Sequence, residues 1–331
     1  MEEGFTMDSL RNSLRRLNPL SETATEQSQG TQTQGSLAGR LRDSDFVESM
    51  PFWLPPTLLV LLFVYGAIAW NVAISFTGWS GLGQPEYTDL SLEMYRQLPA
   101  DQNFRASLWN TIVLLITFTG SSLVVGLGLA LLVDRKIRFE NTFRTIYLLP
   151  MALSFVVTAI FWSWMYARGG LINTTLEGIG LDWLAHNWIG DPQFKLAAVI
   201  VALIWQFSGY CMIVYLAGLR AIPNEHYEAA RIDGASTLKL YWRVIIPQLR
   251  SSTIGAVVVL MVFALKAFDF IYVMFGTNPG RSVDILAVTM YREAFSSSQW
   301  AYGAAIAVVL FALALTIIGP YAYTQYKRGA L

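Results

Sequence analysis

Two ionisable residues, Lys266 and Asp269, interrupt an otherwise apolar stretch of the sequence. A charged side chain in an apolar helix is costly unless it meets a polar partner or faces a wet cavity. At this spacing the ammonium and the carboxylate share one face of a helix and can form an ion pair. The same two groups can instead hydrogen-bond a polar solute. The residues therefore leave two roles open, a structural ion pair or the wall of a solute path.

The sequence contains no constellation of residues for catalysis. It has no H-E-x-x-H, no G-x-S-x-G and no paired carboxylates in its apolar blocks. One cysteine and two histidines exclude a disulfide framework and a His/Cys metal cluster. The 23 basic and 23 acidic residues balance, which gives no reason to expect nucleic acid. Gly30 and Gly35 have phosphate-loop spacing, but Ser36 follows where the loop needs lysine. We expect a chain that is not an enzyme.

Long apolar blocks must position the two charged residues. With 54% hydrophobic residues, 14% charged residues and a mean hydropathy of +0.44, the chain is too apolar for an ordinary soluble surface. Six blocks approach the ~20 residues that cross a bilayer as a helix. They are residues 53–76, 108–133, 143–166, 194–219, 253–275 and 301–323. We therefore predict an all-α, polytopic membrane protein with six transmembrane helices.

Positive charges divide the connections between these blocks into two sets. Most of the 23 Lys and Arg residues lie before the first block, in the second and fourth connections, and after the last block. Cytoplasmic segments of membrane proteins carry this excess, so we expect a multi-pass protein of the cell membrane with both termini in the cytoplasm. The predicted divisions are a largely disordered cytoplasmic tail (1–52), an anchor helix (53–76), an external loop (77–107) and a core of five helices (108–326).

The connection 220–250 is too long and too patterned for a simple turn. Asp233 and Gly234 end a first helix, because glycine accepts the left-handed conformation that follows a last helical turn. Ser236 caps a second helix, which Pro247 ends. Its apolar stripe is formed by Leu238, Tyr241, Trp242 and Ile245. The pattern predicts a helix–turn–helix that binds a partner or packs against the chain's own helix ends.

Residues 228–236 read E-A-A-R-I-D-G-A-S, and an isoleucine–proline pair follows at 246–247. This segment resembles the EAA loop of ABC-importer permeases, although Ile246 stands where that pattern usually has leucine. Residues 109–111, 143–150 and 268–273 resemble the MalF-type permeases of carbohydrate importers. The resemblance covers most of the chain from Leu108 onward. It implies the MetI-like fold of type I ABC-importer permeases.

The resemblance also implies partners for the chain. The family's EAA loop inserts into a cleft of an ATPase, and Glu228, Ala229, Asp233 and Gly234 match the coupling motif. The expected assembly contains a second, MalG-type permease, two copies of an ABC ATPase and an extracytoplasmic solute-binding protein, all surrounded by membrane lipid. ATP and Mg would bind to the ATPase subunits, and we expect no cofactor on this chain.

In maltose-type relatives, solute contacts come from the fourth and fifth spans. Lys266, Asp269 and Tyr210 fall at such positions, and Gln206 lies one helical turn before Tyr210 on the same face. These four residues are the predicted wall of a carbohydrate path. Two alternatives remain: an importer permease for a non-sugar solute such as glycerol phosphate, or a secondary transporter that needs no ATPase.

Overall fold

The structure, a computed structural model, describes residues 45–134 and 139–327 of the chain. The described residues are helical, with short loops and no strand. The α-helices are α1 (Asp45–Val60), α2 (Gly66–Ile74), α3 (Glu93–Gln97), α4 (Gln102–Val133), α5 (Glu140–Leu148), α6 (Phe155–Met165), α7 (Leu171–Gly178), α8 (Lys195–Arg220), α9 (Asn224–Ile232), α10 (Thr237–Leu240), α11 (Ile246–Gln248), α12 (Arg250–Leu265), α13 (Phe268–Phe275), α14 (Leu286–Tyr291) and α15 (Trp300–Lys327). Residues 1–44 of the tail predicted to be largely disordered lie outside the described residues.

The chain divides into two compact units, Met1–Gly66 and Ala67–Leu331. The described part of the first unit is α1 followed by a π-helical turn, Leu61–Tyr65. The side chains of Leu62 and Phe63 in that turn are about two-thirds exposed. A run of exposed apolar side chains on one helix is stable where lipid replaces water, so this segment has the properties of a membrane anchor.

Among the described residues, four helices are long and apolar enough to cross a membrane, and the number reaches six if each of two bent helix pairs is one span. The predicted six spans lie at the upper end of this range. The second span begins at Gln102 instead of residue 108, because the Asp101 side chain accepts the Asn103 backbone N–H and caps an earlier start.

The second unit is built around α4 and α8. At Gly126 of α4, an added Cβ atom would lie 2.2 Å from Cβ of Cys211 on α8, so the absence of a side chain lets these two helices approach closely. Phe118 of α4 and Phe207 of α8 meet edge to face at 5.7 Å and are buried. Close helix packing therefore brings α4 and α8 together in this core.

The third predicted span is not one helix. A 3-10 turn, Leu149–Ala152, separates α5 from α6, and the pair is bent by 100°. Pro150 lies in that turn and cannot supply a helical backbone donor. At Gly209 of α8, an added Cβ would lie 1.8 Å from the carbonyl oxygen of Tyr147, so the bent segment rests directly on the α8 backbone.

The fifth predicted span is also interrupted, which corrects the expectation of one helix over residues 253–275. Helix α12 ends at Leu265 and α13 begins at Phe268. The Lys266 backbone N–H bonds to the carbonyls of Val262 and Phe263, and the Ala267 N–H bonds to Ala264, which tightens the last turn. Lys266 and Asp269 therefore lie on either side of a helix break.

A small subdomain between α6 and α8 buries Asn173, which belongs to the glycosylation-type sequence Asn-Thr-Thr. Its side chain is only 2% exposed. The amide nitrogen donates to the carbonyls of Arg168 and His186, and the amide oxygen accepts from the Trp188 indole at 2.8 Å. Because its amide is buried and engaged on both sides, Asn173 has a structural role in this fold.

Candidate functional site

The connection after α8 forms the predicted helix–turn–helix. Helix α9 ends at Ile232, and Gly234 adopts a left-handed φ of 71°. The Gly234 N–H bonds to the carbonyl of Arg231, and the Ala235 N–H bonds to Ala230, both at 3.0 Å. These bonds satisfy carbonyls at the end of α9, as in a Schellman-type helix end. An added Cβ at Gly234 would meet no atom within 4 Å, so its conformation alone requires glycine.

The second helix of this loop differs from the prediction in where it ends and in which side chains it buries. Ser236 caps α10, and its hydroxyl accepts the Lys239 N–H at 3.4 Å. A π-helical turn, Tyr241–Ile245, then leads into α11, which contains Pro247 and ends at Gln248 instead of at the proline. The wider turn rotates the predicted apolar stripe, so that Ile245 is fully buried while Trp242 is 71% exposed.

Three large apolar side chains of this loop project into solvent. Ile232 is 85% exposed, Leu238 is 79% exposed, and Trp242 is 71% exposed. Large exposed apolar side chains within one short segment are typical of a protein-binding surface. We call Ile232, Leu238 and Trp242 the loop patch. The predicted coupling residues Glu228, Ala229, Asp233 and Gly234 are exposed in the same segment.

A cavity of about 830 Å³ lies beside this loop. Glu228, Arg231 and Tyr227 of α9 line it, together with Arg220 from the end of α8 and Glu140 from the start of α5. Glu140 accepts a hydrogen bond from Arg220 at 2.5 Å and also pairs with Arg144. Burial, with a smaller effect of the Asp134 carboxylate, raises the pKa of Tyr227. Residues of α9 and the ends of α5 and α8 therefore line one cavity that contains several charged groups.

Lys266 and Asp269, predicted to pair or to line a path, are both exposed. No ion pair joins them among the residues that the structure describes. Ala267, Phe270 and Ile271 between and beside them are fully buried, so the polar residues occupy the opposite, open side of the break. The structure brings these two charges to one open surface without pairing them.

Gln206 and Tyr210 lie one turn apart on α8 but differ in their surroundings. Gln206 is only 2% exposed, and its Nε2 donates to the Leu153 carbonyl at 2.9 Å, at the bend between α5 and α6. Its Oε1 is buried and has no hydrogen-bond partner in the part of the chain that the structure describes. Tyr210 is half-buried and packs against the core. The neighbouring Trp205 stacks on Phe161 at 5.7 Å.

The family model for the inner membrane component of binding-protein-dependent transport systems matches residues 122–329 of the chain. That range contains the loop patch, the bent helices and all eight predicted site residues. The chain belongs to this family.

Two relatives share about half of their residues with this permease. The xylose/arabinose import permease protein XacH of Haloferax volcanii is 52% identical over 291 residues, which are 87% of this chain and 91% of that protein. A probable ABC transporter permease protein of Pyrococcus horikoshii is 52% identical over 287 residues, 86% of this chain and 98% of that one. The chain is thus similar to ABC importer permeases along most of its length, and it is a transport component.

A solved structure confirms the predicted fold class. One chain of a bacterial alginate ABC transporter, crystallised with an alginate pentasaccharide-bound periplasmic protein, superposes with a TM-score of 0.70. The match covers 87% of this permease and 98% of that chain, at 22% identity. The permease therefore has the all-α, MetI-like fold of ABC importer permeases.

A buried ion pair that the sequence pattern did not reveal stabilises the permease between α13 and α15. The Arg292 guanidinium donates to the Asp284 carboxylate at 2.7 Å, and both side chains are largely buried. Burial raises the pKa of Asp284, and the adjacent Arg292 opposes that rise. The available signal was a carboxylate inside the apolar run 283–288, because a carboxylate buried among apolar residues needs a partner.

Residues near the start of α4 form hydrogen bonds to the backbone of residues 281–286, next to this ion pair. Nδ2 of Asn110 donates to the carbonyls of Arg281 and Asp284 at 2.8 and 2.9 Å, and the Thr111 hydroxyl accepts the Leu286 N–H at 3.0 Å. The similarity of residues 109–111 to the family thus corresponds to a buried hydrogen-bonded joint. The joint fixes the segment that follows α13 relative to the central helix.

Proposed function

We propose that this permease forms half of the membrane pathway of an ATP-driven, binding-protein-dependent carbohydrate importer. The observation that carries the proposal is the loop patch: three exposed apolar side chains set around a left-handed glycine turn, in a chain of this family. Burying such a patch against a partner favours association by the hydrophobic effect. The partner is an ABC ATPase, which binds ATP and Mg on its own surface.

The assembly that follows has two permeases, this chain and a MalG-type subunit, and two ATPase copies. A solute-binding protein delivers the solute from the outer side. In this arrangement the loop patch is cytoplasmic, as are both chain termini, because the connections rich in Lys and Arg lie on the same side as the loop. Glu228 is then the polar anchor beside the docking cleft, and Gly234 sets the angle between the two short helices.

A matched pair of tryptophan variants tests the docking surface. Trp242 in the loop patch is 71% exposed, and Trp183 in the subdomain between α6 and α8 is 72% exposed. Trp242→Ser should abolish co-purification of the ATPase with the tagged permease, whereas Trp183→Ser should leave it unchanged. Equal ATPase recovery with both variants, at equal permease yield, would contradict docking through the loop patch.

We further propose that the solute is a pentose such as xylose or arabinose. The support is the 52% identity to a relative named as a xylose/arabinose import permease. Lys266 and Asp269 are exposed, unpaired polar groups that suit sugar hydroxyls, and Tyr210 offers a hydroxyl at an aromatic ring. Gln206 is buried and bonded to Leu153 through Nε2, so in the proposed path it supports the wall from behind instead of touching the solute.

Competition for uptake tests the solute class in the assembled importer. Unlabelled L-arabinose should suppress uptake of labelled D-xylose, and glycerol 3-phosphate should not. Suppression by glycerol 3-phosphate, or its uptake in place of both pentoses, would assign the pathway to a phosphorylated solute with Lys266 as the anion partner.

A further inference from the structure

Six aromatic rings form a continuous series from the helix break to the loop before α3. Neighbouring ring centroids along the series are 5.1 to 5.6 Å apart. The rings, which we call the aromatic track, belong to Phe268, Tyr272, Tyr291, Phe295, Trp300 and Trp79. Because Phe268 and Tyr272 begin α13, the inner end of the track lies on the helix that carries Asp269.

The outer end of the track is fixed by hydrogen bonds as well as by stacking. The Trp300 indole donates to the Gly81 carbonyl at 2.9 Å, and the Ala301 N–H donates to the Trp79 carbonyl at 3.0 Å. The Gly81 N–H donates to the carbonyl of Ser298 at 2.8 Å. These bonds tie the loop before α3 to the start of α15, so the two tryptophan rings stay stacked.

The middle of the track is held by close backbone packing. A Cβ at Gly303 of α15 would lie 2.7 Å from Cβ of Ala294 and 2.9 Å from its backbone nitrogen. Ala294 belongs to the π-helical turn Arg292–Ser296, whose first residue is fixed by the buried ion pair with Asp284. The turn therefore presents Phe295 from a rigid support.

Each ring of the track is at least partly exposed. Phe295 is 62% exposed, and the other rings of the track are partly exposed. Lys266 and Asp269 at the inner end are also exposed. Exposed rings that are rigidly held, and that lead to unpaired polar groups, differ from a packed core, where aromatic side chains are covered by neighbours.

The chemistry of such a surface fits a sugar ring. The face of an aromatic ring carries a negative quadrupole potential, which attracts the weakly positive C–H groups on one face of a sugar. The tyrosine hydroxyls of Tyr272 and Tyr291 can donate to and accept from sugar hydroxyls. Few polar groups set among aromatic rings are typical of small-molecule sites.

We propose that the aromatic track binds sugar rings in succession and guides them from the outer side of the permease to Lys266 and Asp269. This inference rests on the proposed carbohydrate function and adds residues outside the fourth and fifth spans. Each ring lowers the free energy of the sugar at its position by a similar amount. The sugar therefore binds weakly at each ring and moves on to the next.

Uptake by the complete importer reconstituted with its binding protein tests the track. The probes are labelled D-xylose, L-arabinose, D-glucose and maltose. Phe295→Leu keeps an apolar side chain but removes the ring, and Phe295→Trp restores a ring. Phe311→Leu is the matched control, since Phe311 of α15 is 43% exposed and lies outside the track.

Phe295→Leu should lower sugar uptake per assembled complex by roughly fivefold, as expected for loss of one aromatic contact. Phe295→Trp and Phe311→Leu should transport like the unmodified chain, and all three should keep the basal ATP hydrolysis and the yield of complex. A Phe295→Leu complex that transports at the unmodified rate, or one that loses only assembly, would overturn the track and assign Phe295 to packing. If the unmodified importer takes up none of the four sugars, the carbohydrate function fails, and the track fails with it.

Discussion

Gln206 donates from Nε2 to the carbonyl of Leu153 at 2.9 Å, at the point where α5 bends into α6. A glutamine in the middle of the fourth span thus bonds to the irregular backbone of the third. Non-helical backbone at membrane depth is stable only where the protein satisfies its polar groups. The contact explains how a bend of 100° persists inside the helix bundle.

Loss of this contact should destabilise the permease. Gln206→Leu should lower the free energy of unfolding by about 1 kcal/mol, the usual net value of one such hydrogen bond. Gln248→Leu is the matched control, because Nε2 of Gln248 also donates to a carbonyl at 2.9 Å but on an exposed helix end. Thermal unfolding of both variants in detergent measures the difference, and equal melting temperatures would contradict the role of Gln206 at the bend.

The left-handed turn at Gly234 allows a test of coupling in which a new side chain would not clash with its neighbours. Because no atom lies within 4 Å of an added Cβ, the cost of Gly234→Val comes from its φ of 71°. Gly234→Val should uncouple solute-stimulated ATP hydrolysis, whereas Gly234→Asn should retain most of it, since asparagine tolerates the left-handed region. Both variants should insert in the membrane in equal amounts. Normal coupling by the valine variant would show that the turn does not set the docking geometry.

The buried pair of Asp284 and Arg292 should be sensitive to removal of either partner alone. Arg292→Met leaves a buried carboxylate unpaired and should cost about 3–5 kcal/mol of stability, and Asp284→Leu combined with Arg292→Met should recover much of it. Arg281→Met is the control, because Arg281 bonds to Asn103 and Gln102 on an exposed surface. Limited proteolysis of the purified chain compares the stabilities of the variants. Equal resistance of the Arg292→Met and Arg281→Met variants would contradict a stabilising role of the buried pair.

Removal of Lys266 or Asp269 alone, unlike removal of Arg292, should leave the stability of the permease unchanged. Since they are exposed and not joined in an ion pair, Lys266→Met and Asp269→Leu should each leave assembly unchanged. The double variant should assemble and hydrolyse ATP but transport with a lower rate or an altered preference among pentoses. Uptake measured beside the yield of complex separates these effects. Loss of assembly by one single variant and its recovery in the double variant would indicate a structural ion pair instead.

Much of the architecture follows from hydropathy, because a bilayer requires long apolar helices. The fourth span, predicted at residues 194–219, is Lys195–Arg220 in the structure. The turn at Gly234 was also predictable, since a left-handed residue after a helix favours glycine. Such features depend on local sequence and on the length of an apolar block, which a single sequence displays directly.

The helix breaks were harder to predict, because hydropathy is averaged over a window of residues and carries no information on the direction of the helix axis. Pro150 gave a local signal for the bend in the third span, but nothing near Lys266 except its charge marks the break in the fifth. The shift of Ile245 into the core depends on a π-helical turn, which no residue pattern in 241–245 specifies. The contact of Gln206 with Leu153 depends on how two separate helices pack, and such long-range contacts are invisible to periodicity.

The central claim is that ATP hydrolysis by a docked ATPase drives sugar through this permease. The most direct measurement is uptake of labelled D-xylose into proteoliposomes that contain the permease, its partner permease and the ATPase, with the binding protein on the side opposite the ATPase. Uptake should require ATP and the binding protein, should not depend on an ion gradient, and should stop with Trp242→Ser. Xylose uptake driven by an ion gradient without ATP, or equal ATP-driven uptake by the Trp242→Ser variant, would contradict the account.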